Sequence, residues 1–517
     1  MTTPRFFNTS GPVNGKDHYC IPPISRIDTK KIWQLILQKK YFLIRGPKQS
    51  GKTSYLLALA QAINQKGQLK CLYFNIESLR GIQENMEESI KSVLFEIASR
   101  ARDTFNDEYL EEMVSGILQK RGSFHALNEL LTQWSKRSDR PIVLLIDEID
   151  TLKGNVLTSF LSQIRAGYDK RPTFFPQSIV FCGTHDVIEK QFNIKDTTIT
   201  ISYFKRPEME TMLMTYIQKH DLEIEDGVMQ KIWDYSNGQP WIISTIAGEL
   251  FYEMLPYKNM KKIHVTDITE AIINIIEKKG NHLEFLIDQL RDERVQKCMV
   301  PMLMGEGIAE NLREEDVGFI RELGFLKETN PLEISNCLYK ELLPRVLFNP
   351  VLYLINLDHT DFTTERGLVD TDKLMKSFQT FFKNHADRLV SLINYGNAGS
   401  ILIFQALLQK LTEWNMTITR TYAINQNYVV IELHRDYPCE QNMLFFIKHF
   451  NVKAPEQNRL TMQSIMDDFA MYIAKRPEVK AEFHLIAINL NINFLWEEKL
   501  FSVRKEKQGK IMTLWGF

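Results

Sequence analysis

Short apolar runs punctuate the N-terminal part of the chain, at Tyr41–Arg45, Cys71–Ile76, Ile142–Ile146 and Ser178–Cys182. A fifth run, Thr197–Tyr203, alternates β-branched residues. Such runs predict strands buried on both faces of a parallel sheet. Between them the apolar spacing changes to a helical period. After Thr53, residues Leu56, Leu59, Ala60 and Ile63 fall on one helix face, and Gly67 is placed to end that helix. Strands alternating with helices predict a doubly wound α/β domain over residues 1–204.

From Pro207 the strand pattern stops. Residues 207–219, 225–235, 240–255 and 266–279 carry helical periodicity, which predicts a helical lid over 205–284. Residues 285–350 combine helical stretches at Arg294–Met304, Glu314–Leu323 and Leu338–Leu347. Two short extended pieces, Phe325–Lys327 and Glu333–Ser335, flank Pro331, so a winged-helix-like domain is predicted there. A polar stretch from Leu357 to Gly367 then acts as a linker. Beyond it lie helical patterns near 371–384, 398–413 and 461–474, and strand patterns at Met416–Tyr422, Tyr428–His434, Phe483–Leu490 and Ile511–Trp515. These predict a further α/β domain over 351–517.

Composition narrows the class. At 517 residues the chain exceeds one ordinary core, and its net charge of −1 supplies no global field toward nucleic acid or anionic membrane. The six cysteines are scattered, without zinc-ligand spacing, which suits a reducing cytoplasm. No apolar stretch reaches the length of a membrane span.

The chemistry is concentrated after the first strand. Gly46-Pro47-Lys48-Gln49-Ser50-Gly51-Lys52-Thr53 fits G-x-x-x-x-G-K-[ST], between an apolar strand and an amphipathic helix. In that pattern, backbone N–H groups of a glycine-rich turn cradle phosphate oxygens and the helix N-terminus adds partial positive charge. Lys52 reaches the β- and γ-phosphates of ATP, and the Thr53 hydroxyl ligates Mg²⁺. The run Ile142–Ile146 delivers Asp147 and Glu148 at its C-terminal edge. An acidic pair there is by itself as readily a solvated turn. Beside the loop, it assigns Asp147 to Mg²⁺ and Glu148 to orienting and deprotonating the attacking water. The strand Ser178–Cys182 ends in Gly183-Thr184-His185-Asp186.

With these strands placed, the chain resembles a family of prokaryotic AAA-like ATPases of the additional-strand type. The resemblance starts with Phe7-Asn8-Thr9-Ser10-Gly11-Pro12 and the box Tyr19-Cys20-Ile21-Pro22-Pro23 with Arg26. It continues through Arg165-Ala166-Gly167-Tyr168 and Asn237-Gly238-Gln239-Pro240-Trp241 to Arg321-Glu322-Leu323-Gly324-Phe325. It implies that Tyr19 and Arg26 lie near adenine, that Pro240 in the lid approaches the phosphates, and that Thr184, with His185 as runner-up, senses the γ-phosphate. Members commonly end in a PD-(D/E)XK nuclease-like domain, and Trp496-Glu497-Glu498-Lys499-Leu500-Phe501 and the terminal Trp515-Gly516 resemble its elements. By that resemblance, Val430-Ile431-Glu432-Leu433-His434 would carry the metal motif, with His434 in place of the lysine. The hairpin offers Asn425 and Asn427 where an aspartate is required. The domain is therefore expected to keep the fold and lose the chemistry.

The resulting expectation is a cytoplasmic ATP-binding and ATP-hydrolysing switch or motor. Its C-terminal module would bind a protein or nucleic acid, with a second copy of the chain as a candidate partner. The alternatives are an ATP-regulated nuclease with an atypical site at Glu432 and His434, and a nucleotide-binding scaffold without turnover.

Overall fold

The computed structural model describes residues 4–82, 85–183, 188, 192, 194, 197–258, 261–278, 288–306, 312–329, 331–352, 355, 359–393, 398–411, 416–423, 426–435, 440–450, 455–489, 499, 501–507 and 510–516. It divides into two compact units, one of residues 1–277 with Arg321–Gly324 and one of 278–320 with 325–517.

The first unit is built on five parallel strands: β1 (Phe42–Arg45), β2 (Lys70–Asn75), β3 (Ile142–Asp147), β4 (Ser178–Cys182) and β5 (Ile199–Thr200). Their order is β2-β3-β4-β1-β5, so β4 is inserted between the strand that leads into the glycine-rich loop and the strand that carries Asp147. Alternate side chains sort into two cores. Leu43, Leu72, Phe74, Leu144, Ile146 and Phe181 pack toward the helices Met86–Phe105, Tyr109–Arg121, Ser123–Arg137 and Gly154–Arg165. Phe42, Ile44, Cys71, Val143, Leu145 and Val180 pack toward Thr29–Leu37 and Lys52–Lys66. Covering both faces is why these strands read as unbroken apolar runs. The fifth strand is shorter than the pattern Thr197–Tyr203 predicts. After Thr200 the backbone leaves the sheet, and Ile201 brings its carbonyl over the loop glycine Gly46.

Helices Arg206–Lys219, Val228–Ser236, Pro240–Gly248 and Val265–Glu277 follow, the third continuing through a π-helical turn, Glu249–Met254. Two short strands, β6 (Glu223–Ile224) and β7 (Lys262–Ile263), pair within them. Gly238 has φ +79°, and a Cβ there would stand 2.1 Å from Phe204 O, so the turn before Pro240 requires glycine.

The second unit contains a six-stranded mixed sheet. Its strands are β8 (Thr417–Ala423), β9 (Tyr428–Arg435), β10 (Gln441–Phe450), β11 (Glu482–Asn489), β12 (Phe501–Lys507) and β13 (Lys510–Gly516), in the order β12-β13-β11-β10-β9-β8. β8, β9 and β10 form an antiparallel meander, and the helix Pro455–Ala474 carries the chain to β11, parallel to β10. Two of these strands are absent from the sequence expectation. β10 is a buried central strand whose run Met443–Ile447 has no alternation, and β12 reads as a basic stretch. In the segment 325–335 the extended pieces reduce to one antiparallel bridge, Leu326 with Ile334. The helix Cys337–Leu352 in this unit packs on the helices Thr371–Ile393 and Ala398–Lys410. Arg420 on β8 forms a buried ion pair with Glu341 of that helix and donates to Gln409 Oε1 at 2.8 Å. Among the described residues, no helix is long and apolar enough to cross a membrane.

Candidate nucleotide site

The loop leaves the C-terminal end of β1 and closes on the helix Lys52–Lys66. Gly51, at φ +92°, caps that helix, and Gln49 also lies in the left-handed region at φ +61°. Gly46 admits no side chain, because a Cβ would stand 2.2 Å from Ile201 O. The Lys52 ammonium donates to Gly46 O at 2.9 Å and Pro47 O at 3.0 Å, which folds it back over the loop. Ser50 is buried, and its hydroxyl has no hydrogen-bond partner among the described residues. Lys48 N–H donates to Glu322 O at 2.8 Å, one of the few residues beyond 277 that pack with this unit. Burial is the largest influence on the Lys48 ammonium and lowers its pKa, with Arg80 acting in the same direction.

The acidic pair meets the loop directly. Asp147 is 1% exposed. Its Oδ2 accepts from Thr53 Oγ1 at 2.7 Å and from Tyr73 Oη at 3.0 Å, while Oδ1 accepts from the Glu148 N–H at 3.0 Å. Glu148 adopts φ +56° as the chain leaves β3. Burial, and after it the charge of Asp147, raises the Glu148 carboxyl above its ordinary value. Arg80 approaches Glu148 Oε2 at 3.5 Å from the short helix Glu77–Gly81. Tyr73 and Arg80 escape sequence reasoning. Tyr73 belongs to an apolar run, and nothing in its type or spacing marks it as a partner of Asp147.

The remaining expected residues separate. Arg26 does reach the loop: its guanidinium donates to Ser50 O at 3.2 Å and to Ser202 O, and lies over the Phe204 ring at 4.4 Å. Burial lowers its pKa. Tyr19 instead is 3% exposed, stacked on Phe7 at 5.1 Å and set edge-on to Tyr216 at 5.3 Å. Its hydroxyl accepts from Lys219 Nζ at 3.3 Å. Its ring thus joins an aromatic cluster between the N-terminal arm and the helix Arg206–Lys219. That differs from the expected place beside adenine, because an apolar ring gains more from aromatic neighbours than from an open cleft. Pro240 occupies the first turn of its helix, and the neighbouring Gln239 is the residue that touches the loop, on Gln49. Thr184 and His185 lie outside the described residues. Gly183 before them sits tightly against Ile149 and Asp150.

Residues 31–246 match the model of an ATPase domain family found predominantly in Archaea. Among solved structures, a Walker-type ATPase of Pyrococcus abyssi is similar at 13% identity and TM-score 0.47, over 65% of this chain and 99% of that one. The RuvB Holliday junction branch migration motor of Thermotoga maritima is similar at 16% identity and TM-score 0.34, over 61% and 92%. Cdc6p of Pyrobaculum aerophilum is similar at 16% identity and TM-score 0.36, over 62% and 93%. No curated protein matches the chain.

Proposed function

We propose, starting from a first unit that carries an ATPase-type P-loop domain, that this protein binds and hydrolyses ATP and uses the cycle to move its helical lid as a switch or motor. The observation that carries this reading is the 2.7 Å hydrogen bond from Thr53 Oγ1 to Asp147 Oδ2, beside Glu148. It sets a hydroxyl and a carboxylate side by side, a donor set of oxygens that suits a hard divalent cation. The residues fit a Mg²⁺–nucleotide in other ways too. The loop excludes a side chain at Gly46, keeps a buried Ser50 hydroxyl without a partner among the described residues, and holds a lysine by main-chain carbonyls it can exchange for phosphate oxygens. Thr53 and Asp147 would hold Mg²⁺, which when bound screens the phosphate charge. Lys52 neutralises the phosphates, and Glu148 accepts a proton from the attacking water. Thr184 remains the proposed γ-phosphate sensor.

The C-terminal part is proposed as a binding module for a protein or nucleic acid, with a nuclease-like fold and without nuclease chemistry. In support, Glu432 Oε1 accepts from Arg476 Nη1 at 3.1 Å, and His434 is hydrogen-bonded to Asn442. The Glu432 carboxylate is thus paired with a guanidinium, a cation that competes with any metal for it. The segments 205–284, 285–350 and 351–517 are proposed as lid, winged-helix-like and nuclease-like parts.

Steady-state phosphate release with and without Mg²⁺ tests the central claim. Metal-dependent turnover in the natural chain, lost in Glu148→Gln, is the expected result. Turnover that ignores both changes would sink it.

A further inference from the structure

The Asp147 carboxylate, 1% exposed at the end of β3, is turned by donors from three different elements. Its Oδ2 accepts two hydroxyl protons, from Thr53 Oγ1 at 2.7 Å and from Tyr73 Oη at 3.0 Å. Its Oδ1 accepts the main-chain N–H of Glu148 at 3.0 Å. Thr53 and Glu148 belong to the two motifs of the site. Tyr73 belongs to neither and comes from β2.

The ladder explains how Tyr73 gets there. β2 runs parallel to β3, with Tyr73 opposite Leu145 and Asn75 opposite Asp147. Residues paired across a ladder share a face, and so do residues two apart along a strand. Tyr73, Leu145 and Asp147 therefore face the same side, toward the helix Lys52–Lys66 that carries Thr53. From Tyr73 the side chain must run forward by two residues, roughly 7 Å at about 3.3 Å per residue. A serine or threonine is too short for that span, and a phenylalanine ends before it. The ring packs against the apolar core between sheet and helix, so the hydroxyl is aimed by a fixed lever.

This arrangement has a consequence for Thr53. An ionised carboxylate only accepts, and it offers about two sites on each oxygen. The two hydroxyls fill Oδ2. The torsion that turns an aspartate carboxylate is broad, so a single donor leaves the group free to swing while a second fixes its plane. A threonine hydroxyl has one proton and two lone pairs. With the proton committed to Asp147, the lone pairs of Oγ1 are what Thr53 has left to offer a cation.

We infer that Tyr73 is a positioning residue for the divalent cation of the nucleotide site: its hydroxyl fixes the Asp147 carboxylate against Thr53, so that the Thr53 lone pairs and the Asp147 charge are presented to Mg²⁺ in one arrangement. Tyr73 acts through Asp147 and not on the nucleotide. The inference rests on the reading of Thr53 and Asp147 as the metal pair.

The test is binding rather than turnover. Affinity for a fluorescent non-hydrolysable ATP analogue is measured on the intact protein in EDTA and across a Mg²⁺ titration. Tyr73→Phe keeps the ring and removes only the hydroxyl. In EDTA it should bind the analogue as the natural chain does, because Lys52 and the loop amides are unchanged. Its Mg²⁺ midpoint should rise by about 10–100-fold, the usual effect of losing a partner of a metal ligand. Electron paramagnetic resonance of Mn²⁺ on the protein–analogue complex should show the same loss. Leu145→Val, a packing change on the same face, should leave the midpoint in place. An unchanged midpoint in Tyr73→Phe overturns the inference. So does a loss of equal size with and without metal, or an equal shift in Leu145→Val, since either makes Tyr73 a packing residue only. If the natural chain itself binds the analogue equally in EDTA and Mg²⁺, the metal reading of Thr53 and Asp147 fails and takes the inference with it.

Discussion

Gln239, in the turn that starts the helix Pro240–Gly248, donates its side-chain N–H to Gln49 Oε1 of the phosphate loop at 3.0 Å. The donor residue is 1% exposed, and its own Oε1 has no hydrogen-bond partner among the described residues. The acceptor residue holds a left-handed backbone. A second path joins the same parts. Arg26 spans Ser50 O and Ser202 O and covers Phe204, whose N–H donates to Gly238 O at 2.8 Å. The turn before the helix Pro240–Gly248 and the phosphate loop are therefore linked directly through Gln239 and Gln49 and indirectly through Phe204 and Arg26.

Gln239→Ala should uncouple the lid while leaving the phosphate cradle in place. In the natural chain, proteolysis near 204–240 should slow when a non-hydrolysable ATP analogue is added. In the variant that protection should largely disappear, with nucleotide affinity reduced only about two- to tenfold, as for one net hydrogen bond. Equal protection in both chains would show that the lid is governed by other contacts.

Lys52→Ala should lose most ATP affinity, because the variant lacks the ammonium that the loop folds back over its carbonyls. Isothermal titration reads this directly. Glu148→Gln should retain binding and slow turnover about 10²–10⁴-fold, the usual cost of removing a general base. A variant pair with the opposite pattern would reverse the two roles.

Gly238→Ala should strain the turn before Pro240, since its Cβ would collide with Phe204 O at a φ of +79°. The expected cost is roughly 1–3 kcal/mol, seen as a lower melting temperature of the first unit. Gly248→Ala, where a Cβ meets nothing within 4 Å, serves as the control and should be nearly neutral or stabilising.

In the second unit, Arg420→Met should be strongly destabilising, by about 3–5 kcal/mol, because it leaves Glu341 buried and uncompensated. Adding Glu341→Leu should recover part of that loss. Denaturant unfolding followed through a probe in the second unit measures both. A double variant less stable than the single would show that the pair contributes more than charge balance.

Purified protein should leave single- and double-stranded DNA and RNA intact with Mg²⁺ or Mn²⁺, with or without ATP. Cleavage that vanishes in Glu432→Ala would assign Glu432 a metal despite its contact with Arg476.

Much of the candidate site is legible in the sequence because its chemistry is local. A phosphate cradle needs consecutive backbone amides, so Gly46 to Thr53 must be contiguous, and Asp147-Glu148 is marked by the apolar strand that ends there. Arg26, which the resemblance implies near adenine, donates to the loop carbonyl Ser50 O. Tyr19 does not stay open, since aromatic residues far along the chain cover it. Gln239 lies in a motif visible in the sequence, but its partner Gln49 is 190 positions away, and no periodicity encodes that contact.

The apolar pattern by itself determined an α/β first unit with five strands, together with the loop that follows β1; which of them lie at the edge came from the sheet order. Period and burial are properties of single segments, and water enforces them wherever the segment lies. Only the tertiary structure decided that β10 is a strand. The run Met443–Ile447 is apolar on both sides, and it is the ladders to β9 and β11 that impose the extended form. Only tertiary packing, too, brought the indole N–H of Trp515 to His484 Nδ1. Trp515 lies on another strand, and a hydrogen bond between strands depends on register, which no single segment contains.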